Sequence, residues 1–344
     1  MSEIVYLLGA GASFGERGKG ENNYIFTKRI GDKEISKSGH SIDINEGLPV
    51  VAEIPSRLTY LIDLLEYDLN ADKTLIEDLK WLKNECENHA TIDTFAKKLY
   101  LKRDYDNFYK VESLLAIFFI IEQVINKKDS RYDTFLASVL NSNLEIDDKI
   151  TILTWNYDSQ FELAYKEYGE FKDLTSIRSK LGITDLKEQN TNGKNQIFKL
   201  NGTANFYNMI DIGSYHNFDV YLLNEILLRH YKNKNYTNSK ISFAWDNEKF
   251  LTLNFREAIK NAIGDAKTLV IIGYTFPFFN RNIDRMLFDF MPNLEKIYIQ
   301  DPNANQIIQN LEPIYSRNHP FLSKLKNNII PKTNTDQFYL PPEL

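Results

Sequence analysis

Cysteine is almost absent: Cys86 is the only one in 344 residues. A single thiol excludes an intramolecular disulfide and points to a reducing compartment, so a cytoplasmic protein is expected. No uninterrupted apolar stretch is long enough to span a membrane. The opening MSEIVYLLGAGASF has no basic segment ahead of its short apolar run, which leads straight into glycines. It reads as a buried strand and not as a signal peptide. An excess of positive charge is missing too. Lys and Arg number 41 against 47 Asp and Glu, a net charge of −6, which argues against a dedicated nucleic-acid surface. The basic pairs Lys97-Lys98 and Lys127-Lys128 read as solvated charges. Histidine is scarce, with five in the chain and no pair at ligand spacing, so no metal site is expected. No internal repeat or low-complexity tract is present.

What remains is the composition of an ordinary globular protein, 43% hydrophobic and 26% charged. The apolar runs at 4–8, 150–153, 196–200, 268–272 and 296–300 each end in small or polar residues. Runs without a polar face suit central parallel strands covered on both sides. Between them lie segments of helical period, so the fold expected is α/β, a Rossmann-like, doubly wound parallel sheet. Helical spacing fills 52–69 (Leu58, Leu61, Ile62, Leu65), 74–87, 92–101 and 111–124, the last apolar all round and therefore buried. Leu136 and Leu140 suggest one more helix. The expected organisation is a Rossmann-like domain from 1–51 and 143–344, carrying an inserted helical subdomain at 52–142. Residues 15–47, rich in Gly, Asn and Lys, read as an exposed insertion or mobile loop, and 219–263 as mainly helical.

Ligands on such sheets bind beyond the carboxyl ends of the strands, which is where the polar motifs fall. Gly9-Ala10-Gly11-Ala12-Ser13 follows the first strand. Its glycines allow a phosphate to approach the backbone closely, or they make a tight turn with no ligand. The third glycine of a Gly-x-Gly-x-x-Gly fingerprint is not in its usual place. Thr154-Trp155-Asn156-Tyr157-Asp158 can turn Asn156 and Asp158 toward a cleft, or use Asp158 as a helix cap. Leu200-Asn201-Gly202-Thr203 is a third strand exit. In Gly273-Tyr274-Thr275-Phe276-Pro277, Gly273 permits close approach and Thr275 offers a hydroxyl. Asn280 and Asp284, four residues apart on the next helix, either reach over the cleft or edge an amphipathic face. Asp301, before Pro302 and Asn303, can bind ribose hydroxyls or make a turn.

In this order the motifs resemble the sirtuin superfamily, over most of residues 1–305. Gly9 to Ser13 match the sirtuin glycine-rich loop, and Gly47-Leu48-Pro49 looks like its following Gly-Ile-Pro. Trp155-Asn156-Tyr157-Asp158 resembles the Gln-Asn-Ile-Asp motif beside the nicotinamide ribose. Leu200-Asn201-Gly202-Thr203 stands where the family has His-Gly, and Gly273-Tyr274-Thr275 resembles Gly-Thr-Ser. The wording is most similar to bacterial sirtuin-like effectors of phage defence that deplete NAD. The resemblance implies NAD as substrate or ligand. It implies catalytic roles for Asn156, Asp158 and position 201. It implies NAD-binding roles for Gly9, Ala10, Gly11, Ala12, Ser13, Gly202, Gly273, Tyr274, Thr275, Asn280, Asp284 and Asp301. Implied partners are further copies of the chain and a HerA-type ATPase, with direct nucleic-acid binding disfavoured. The chain departs from the deacylase branch: one cysteine cannot build a four-cysteine zinc module, and Val50-Val51-Ala52 replaces Asp-Phe-Arg. A helical stretch stands in place of the zinc-bearing domain.

The departure that bears on chemistry is Asn201, at the position of the catalytic His. Nicotinamide leaves NAD as a neutral molecule from a cationic linkage, so its departure needs no proton donor. The work is to stabilise positive charge on the ribose and to position a nucleophile, a task that falls to Asn156. An amide has no usable basicity near neutral pH, and loss of a general base costs about 10²–10⁴ in rate. Three readings therefore stay open: a natural NAD-binding pseudoenzyme, a slow hydrolase relying on Asn156 and Asp158, or an engineered inactive form of an NAD hydrolase. A non-catalytic NAD or ADP-ribose sensor and a structural subunit of a defence complex are the alternatives from other classes.

Overall fold

The run Ile4–Leu8 has no polar face to offer water, and all five of its residues are buried in the central strand of a sheet. The computed structural model describes the chain except residues 1, 19, 31–32, 68–72, 187–193, 208, 215–225, 227–238, 247–252, 312 and 315–327; for 20–43, 67 and 253 it describes the backbone alone. In chain order the strands are β1 (Ile4–Leu8), β2 (Gly20–Ile30), β3 (Lys33–Ile44), β4 (Ile150–Thr154), β5 (Ile183–Asp185), β6 (Ile197–Lys199), β7 (Gly202–Phe206), β8 (Ser239–Ile241), β9 (Thr268–Ile272), β10 (Lys296–Gln300) and β11 (Ile329–Lys332). The α-helices are α1 (Ile54–Tyr67), α2 (Lys73–Asn88), α3 (Ile92–Lys102), α4 (Tyr105–Ile125), α5 (Ser130–Val139), α6 (Gln160–Tyr165), α7 (Leu174–Lys180), α8 (Leu253–Ile263), α9 (Arg281–Asp289) and α10 (Ala304–Leu311).

Two compact units divide the chain. The first comprises Met1–Ser13, Asp129–Thr203 and Ser242–Leu344. It holds a seven-stranded parallel sheet of order β11-β10-β9-β1-β4-β6-β5. This is the Rossmann-like α/β arrangement expected. The chain builds outward from β1 through β4 to the β5 edge, then returns to build β9, β10 and β11 on the other side. The order of strands thus reverses beside β1, at the place where α/β sheets open a crevice for ligands. Val5 and Leu7 of β1 face one core layer with Phe255 and Ile259 of α8, Ile283 and Leu287 of α9, and Ile307 of α10. Tyr6, on the opposite face, packs edge-on against Phe135 of α5 at 4.9 Å. Alternate residues of one buried strand thereby serve two helical layers.

Two strands of this sheet escaped the sequence reading. Ile183–Asp185 is only three residues long, and Ile329–Lys332 contains Pro331. Both are edge strands, where a short or proline-bearing segment is tolerated because one side of the ladder is unpaired. Helix α5 lies in the first unit, which resumes at Asp129.

The second unit comprises Phe14–Lys128 and Ala204–Ile241. Within 15–47, expected to be an exposed or mobile loop, β2 and β3 form an antiparallel hairpin with a register shift between Lys28 and Arg29. Its β-forming residues, among them Tyr24, Ile25, Phe26 and Thr27, are diluted by Asn, Lys and Ser, and composition alone therefore reads as loop. Of 219–263, expected to be helical, Ser239–Ile241 is a strand and Leu253–Ile263 a helix; most of the remainder lies outside the described residues. Helix α4 is buried on every side from Val111 to Ile125, as its sequence requires. It carries Glu122, whose two oxygens receive Arg57 Nε at 3.1 and 3.0 Å. Burial pushes the Glu122 carboxyl up, against the opposing pull of Arg57.

The base of the hairpin is clipped by Arg17. Its guanidinium donates to the carbonyls of Phe14 (2.6 Å), Glu46 (3.2 Å) and Leu48 (3.0 Å) and pairs with Glu53 at 2.7 Å. One side chain thus holds both ends of the excursion and the Gly47-Leu48-Pro49 exit together. Arg17→Ala is expected to lower stability by about 2 kcal/mol in urea denaturation, since three carbonyls lose a charged donor. A loss below about 0.5 kcal/mol, the size of an ordinary surface change, would show that the clip contributes little.

Candidate functional site

Four of the sequence motifs meet at the carboxyl edge of the first unit's sheet, beside the switch point. After β1, residues Ala10–Ser13 form a four-residue 3-10 turn and not the start of an α-helix. No helix dipole therefore stands behind this loop. Gly9 and Gly11 are required for a different reason from phosphate approach. A Cβ on Gly9 would meet Gly273 O at 2.6 Å, and one on Gly11 would meet Gly273 Cα at 2.7 Å. The Gly11 amide donates to Gly273 O at 3.0 Å. Gly273 has φ +60°, and its own Cβ would meet Ala12 N and Gly11 C at 2.4 Å. Three glycines thus let the β1 and β9 exits pack backbone against backbone. Ala10 and Thr275 are exposed on this edge.

Ser13 lies at the centre. Its hydroxyl donates to Asp158 Oδ2 at 2.7 Å, accepts from Asn156 Nδ2 at 3.0 Å and meets Tyr132 Oη at 2.7 Å. One hydrogen and two lone pairs are all a serine hydroxyl has, so Ser13 is spent within the protein. Asn156 gives its second amide hydrogen to Gly9 O at 2.9 Å. Both of its donors are then used, and its remaining capacity is the acceptor Oδ1. Asp158 also accepts from the Gln160 amide at 3.1 Å in a local turn ahead of α6, whose N-cap is Ser159, while its side chain belongs equally to the Ser13 cluster. Burial pushes the Asp158 carboxyl up, opposed first by the nearby Lys199 charge and then by the Ser13 hydrogen bond.

One strand further out, Asn201 is 8% exposed and donates Nδ2 to Trp155 O at 3.2 Å. Its Oδ1 is buried with no hydrogen-bond partner among the described residues. Gly202 follows in the left-handed region at φ +77° and starts β7. Beneath this exit runs a buried charge network that the sequence reading missed. Arg178 pairs with Glu162 and Asp185, each at 2.8 Å, and Thr203 donates to Asp185 at 3.0 Å. Lys199 pairs with Glu162 at 3.2 Å and donates to the backbone carbonyl of Asp158. The signal was available in β6: a lysine inside a buried strand needs partners, and Arg178 and Glu162 lie on flanking helices.

Three assigned residues close on one another. Tyr274 Oη donates to Asp284 at 2.9 Å and accepts from Asn280 Nδ2 at 2.9 Å, and all three are buried. Asn280 and Asp284 are neither cleft-spanning nor a solvated margin: they anchor Tyr274, whose ring stacks on Trp155 at 5.9 Å. Asp301 makes a turn, accepting the Asn303 amide at 2.7 Å through Oδ1. Comparison with protein-family models and with curated proteins finds no match.

Burial pushes the Asp284 carboxyl well up, with the Tyr274 hydrogen bond opposing. The folded state therefore holds a proton that the unfolded chain sheds near the ordinary carboxylate pKa of about 4. Stability contributed by the protonated form is present below that value and declines as pH rises toward the raised one. Asp284→Asn keeps an acceptor for Tyr274 and cannot ionise. Its urea midpoint is expected to exceed that of the parent at pH 7 and to converge with it near pH 4. A variant less stable than the parent at pH 7 would refute this.

Proposed function

We propose that the carboxyl edge of this sheet binds NAD and that the chain is a sirtuin-like NAD hydrolase impaired at Asn201. The observation that carries the reading is the committed amide of Asn156. Gly9 O and Ser13 Oγ take both its hydrogens beside the strand-order reversal, which leaves Oδ1 to accept from a water or a ribose hydroxyl. The donor and acceptor set suits NAD. The orphaned Oδ1 of Asn201 asks for a hydrogen-bond donor from a ligand, and Ala10 presents an exposed turn to the same edge.

In the reaction, a water oxygen forms a bond to the anomeric carbon of the ribose. The carbon–nitrogen bond breaks with its electron pair passing to nicotinamide, which leaves neutral. The water sheds one proton, and the products are ADP-ribose and nicotinamide. Asn156 positions the water. The Asn201 amide can orient a hydroxyl but takes no proton, so turnover is slow. The same amide favours a second reading, a non-catalytic NAD or ADP-ribose sensor within a defence complex. Self-association, a HerA-type ATPase partner and a role in antiviral defence by NAD depletion belong to this proposal through the family resemblance alone. Among the described residues no helix is long and apolar enough to cross a membrane.

Prolonged incubation with NAD, assayed for nicotinamide and ADP-ribose in equal amounts, tests the assignment. Equimolar release is expected. Binding without release leaves the sensor reading, and neither binding nor release overturns both.

A further inference from the structure

The first turn of α5 belongs to none of the strand-end motifs, yet it grips the loop that bears Ser13. Arg131 donates to the carbonyls of Ala12 (3.0 Å) and Gly11 (3.4 Å) and pairs with Asp129 at 2.5 Å. The next residue, Tyr132, is buried, and its hydroxyl reaches Ser13 Oγ at 2.7 Å. Its ring is fixed edge-on by Phe161 at 4.8 Å and Phe338 at 5.0 Å. Ser13 has one hydrogen, and Asp158 receives it. With Asp158 ionised, Tyr132 is therefore the donor to Ser13, and the bonds run in one direction from Tyr132 through Ser13 to Asp158. Hydrogen bonds in such a chain strengthen one another, and the low-dielectric interior magnifies the effect.

We propose that Tyr132 is a positioning residue of this site, acting through Ser13 to hold the Asn156 amide in register and to support the ionised form of Asp158. The inference rests on the reading of this edge as the nucleotide site, but its physical content concerns groups of the chain itself. Asp158 is faced by Ser13 from the loop, by Tyr132 from α5 with Asp129 and Arg131 beside it, by Glu162 from α6 and by Lys199 from β6. Of these, Tyr132 can be altered by one oxygen while the charges stay in place. Removing its hydroxyl deprives Ser13 of a donor, weakens the bond from Ser13 to the carboxylate and raises the pH at which Asp158 takes up a proton. In the opposite state, with Asp158 protonated, the chain reverses and Tyr132 accepts. Only the ionised form carries a charge for the chain to stabilise, so the phenol favours that form over the protonated one.

The test needs no ligand. Protein labelled with ¹³C at the aspartate carboxyl carbon is titrated by NMR, with Asp158→Asn used to assign the resonance. In Tyr132→Phe, which keeps the ring and its aromatic contacts, the Asp158 midpoint is expected to move up by about 0.5–1 pH unit. Ser13→Ala, which removes the direct donor, is expected to move it further in the same direction. An unchanged midpoint in Tyr132→Phe, with melting behaviour like the parent, overturns the positioning role whether or not NAD binds. In a parallel NAD titration, binding should weaken about tenfold in Tyr132→Phe, with its acid limb moved to higher pH. If the midpoint moves while neither parent nor variant binds NAD, the positioning stands and the nucleotide reading falls.

Discussion

Asn201→His is expected to raise the rate of nicotinamide release from NAD by about 10²–10⁴, the range attached to a general base. The surroundings are ready for the exchange. Asn201 Nδ2 already donates to Trp155 O, and an imidazole at the same position can make that bond through Nδ1–H. The tautomer is then fixed, and Nε2 is free to accept a proton from water or a ribose hydroxyl. The gain depends on a positioned nucleophile. Asn156→Ala in the same background removes the amide that Gly9 O and Ser13 Oγ orient, and the rate should return to that of the parent. The proposed function includes self-association and an ATPase partner, so the assay spans protein concentration and is repeated with such an ATPase. If Asn201→His binds NAD and assembles but releases no nicotinamide, the hydrolase assignment fails and the sensor takes its place.

The second large effect concerns Gly273. An alanine there meets two penalties at once, a left-handed φ of +60° and backbone atoms of Gly11 and Ala12 at 2.4 Å. The left-handed conformation alone costs a non-glycine residue about 1–3 kcal/mol, and the contact lies with backbone, which cannot swing aside. Gly273→Ala is therefore expected to lose about 3 kcal/mol or more of stability and to lose NAD binding with it, as read by urea denaturation and calorimetry. A variant with parental stability would show that the β1 and β9 exits are not packed as described. The same geometry governs Gly11→Val. Its side chain would strike Gly273 before it reached any phosphate, so lost binding in that variant reports packing.

The sheet was legible because its strands are short apolar runs with polar exits, a pattern few other structures satisfy. β1, β9 and β10 have the bounds that their residues imply. The edges were not legible: β5 is three residues long and β11 contains Pro331, so neither carries a periodic signal. In the site, the sequence brought out residues that the fold brings together, Gly9, Ser13, Asn156 and Asp158, because they stand at strand ends. It did not distinguish a glycine needed for close ligand approach from one needed for close backbone packing. Both leave the same letter. Tyr132 and Arg131 were invisible for another reason. They lie in the first turn of a helix whose only sequence signal was Leu136 and Leu140, and their role depends on a loop 119 positions away, the separation of Tyr132 from Ser13.

The claim on which the rest depends is that this sheet edge binds NAD. Isothermal titration of the parent protein with NAD, and separately with ADP-ribose, addresses it with the fewest assumptions. Saturable binding at one site per chain is expected, with thermal stabilisation that grows with ligand concentration. Asn156→Ala, tested alongside, should weaken it, because the amide that presents Oδ1 is gone. Absence of saturable heat and of thermal stabilisation with either nucleotide, in folded protein, would contradict the account.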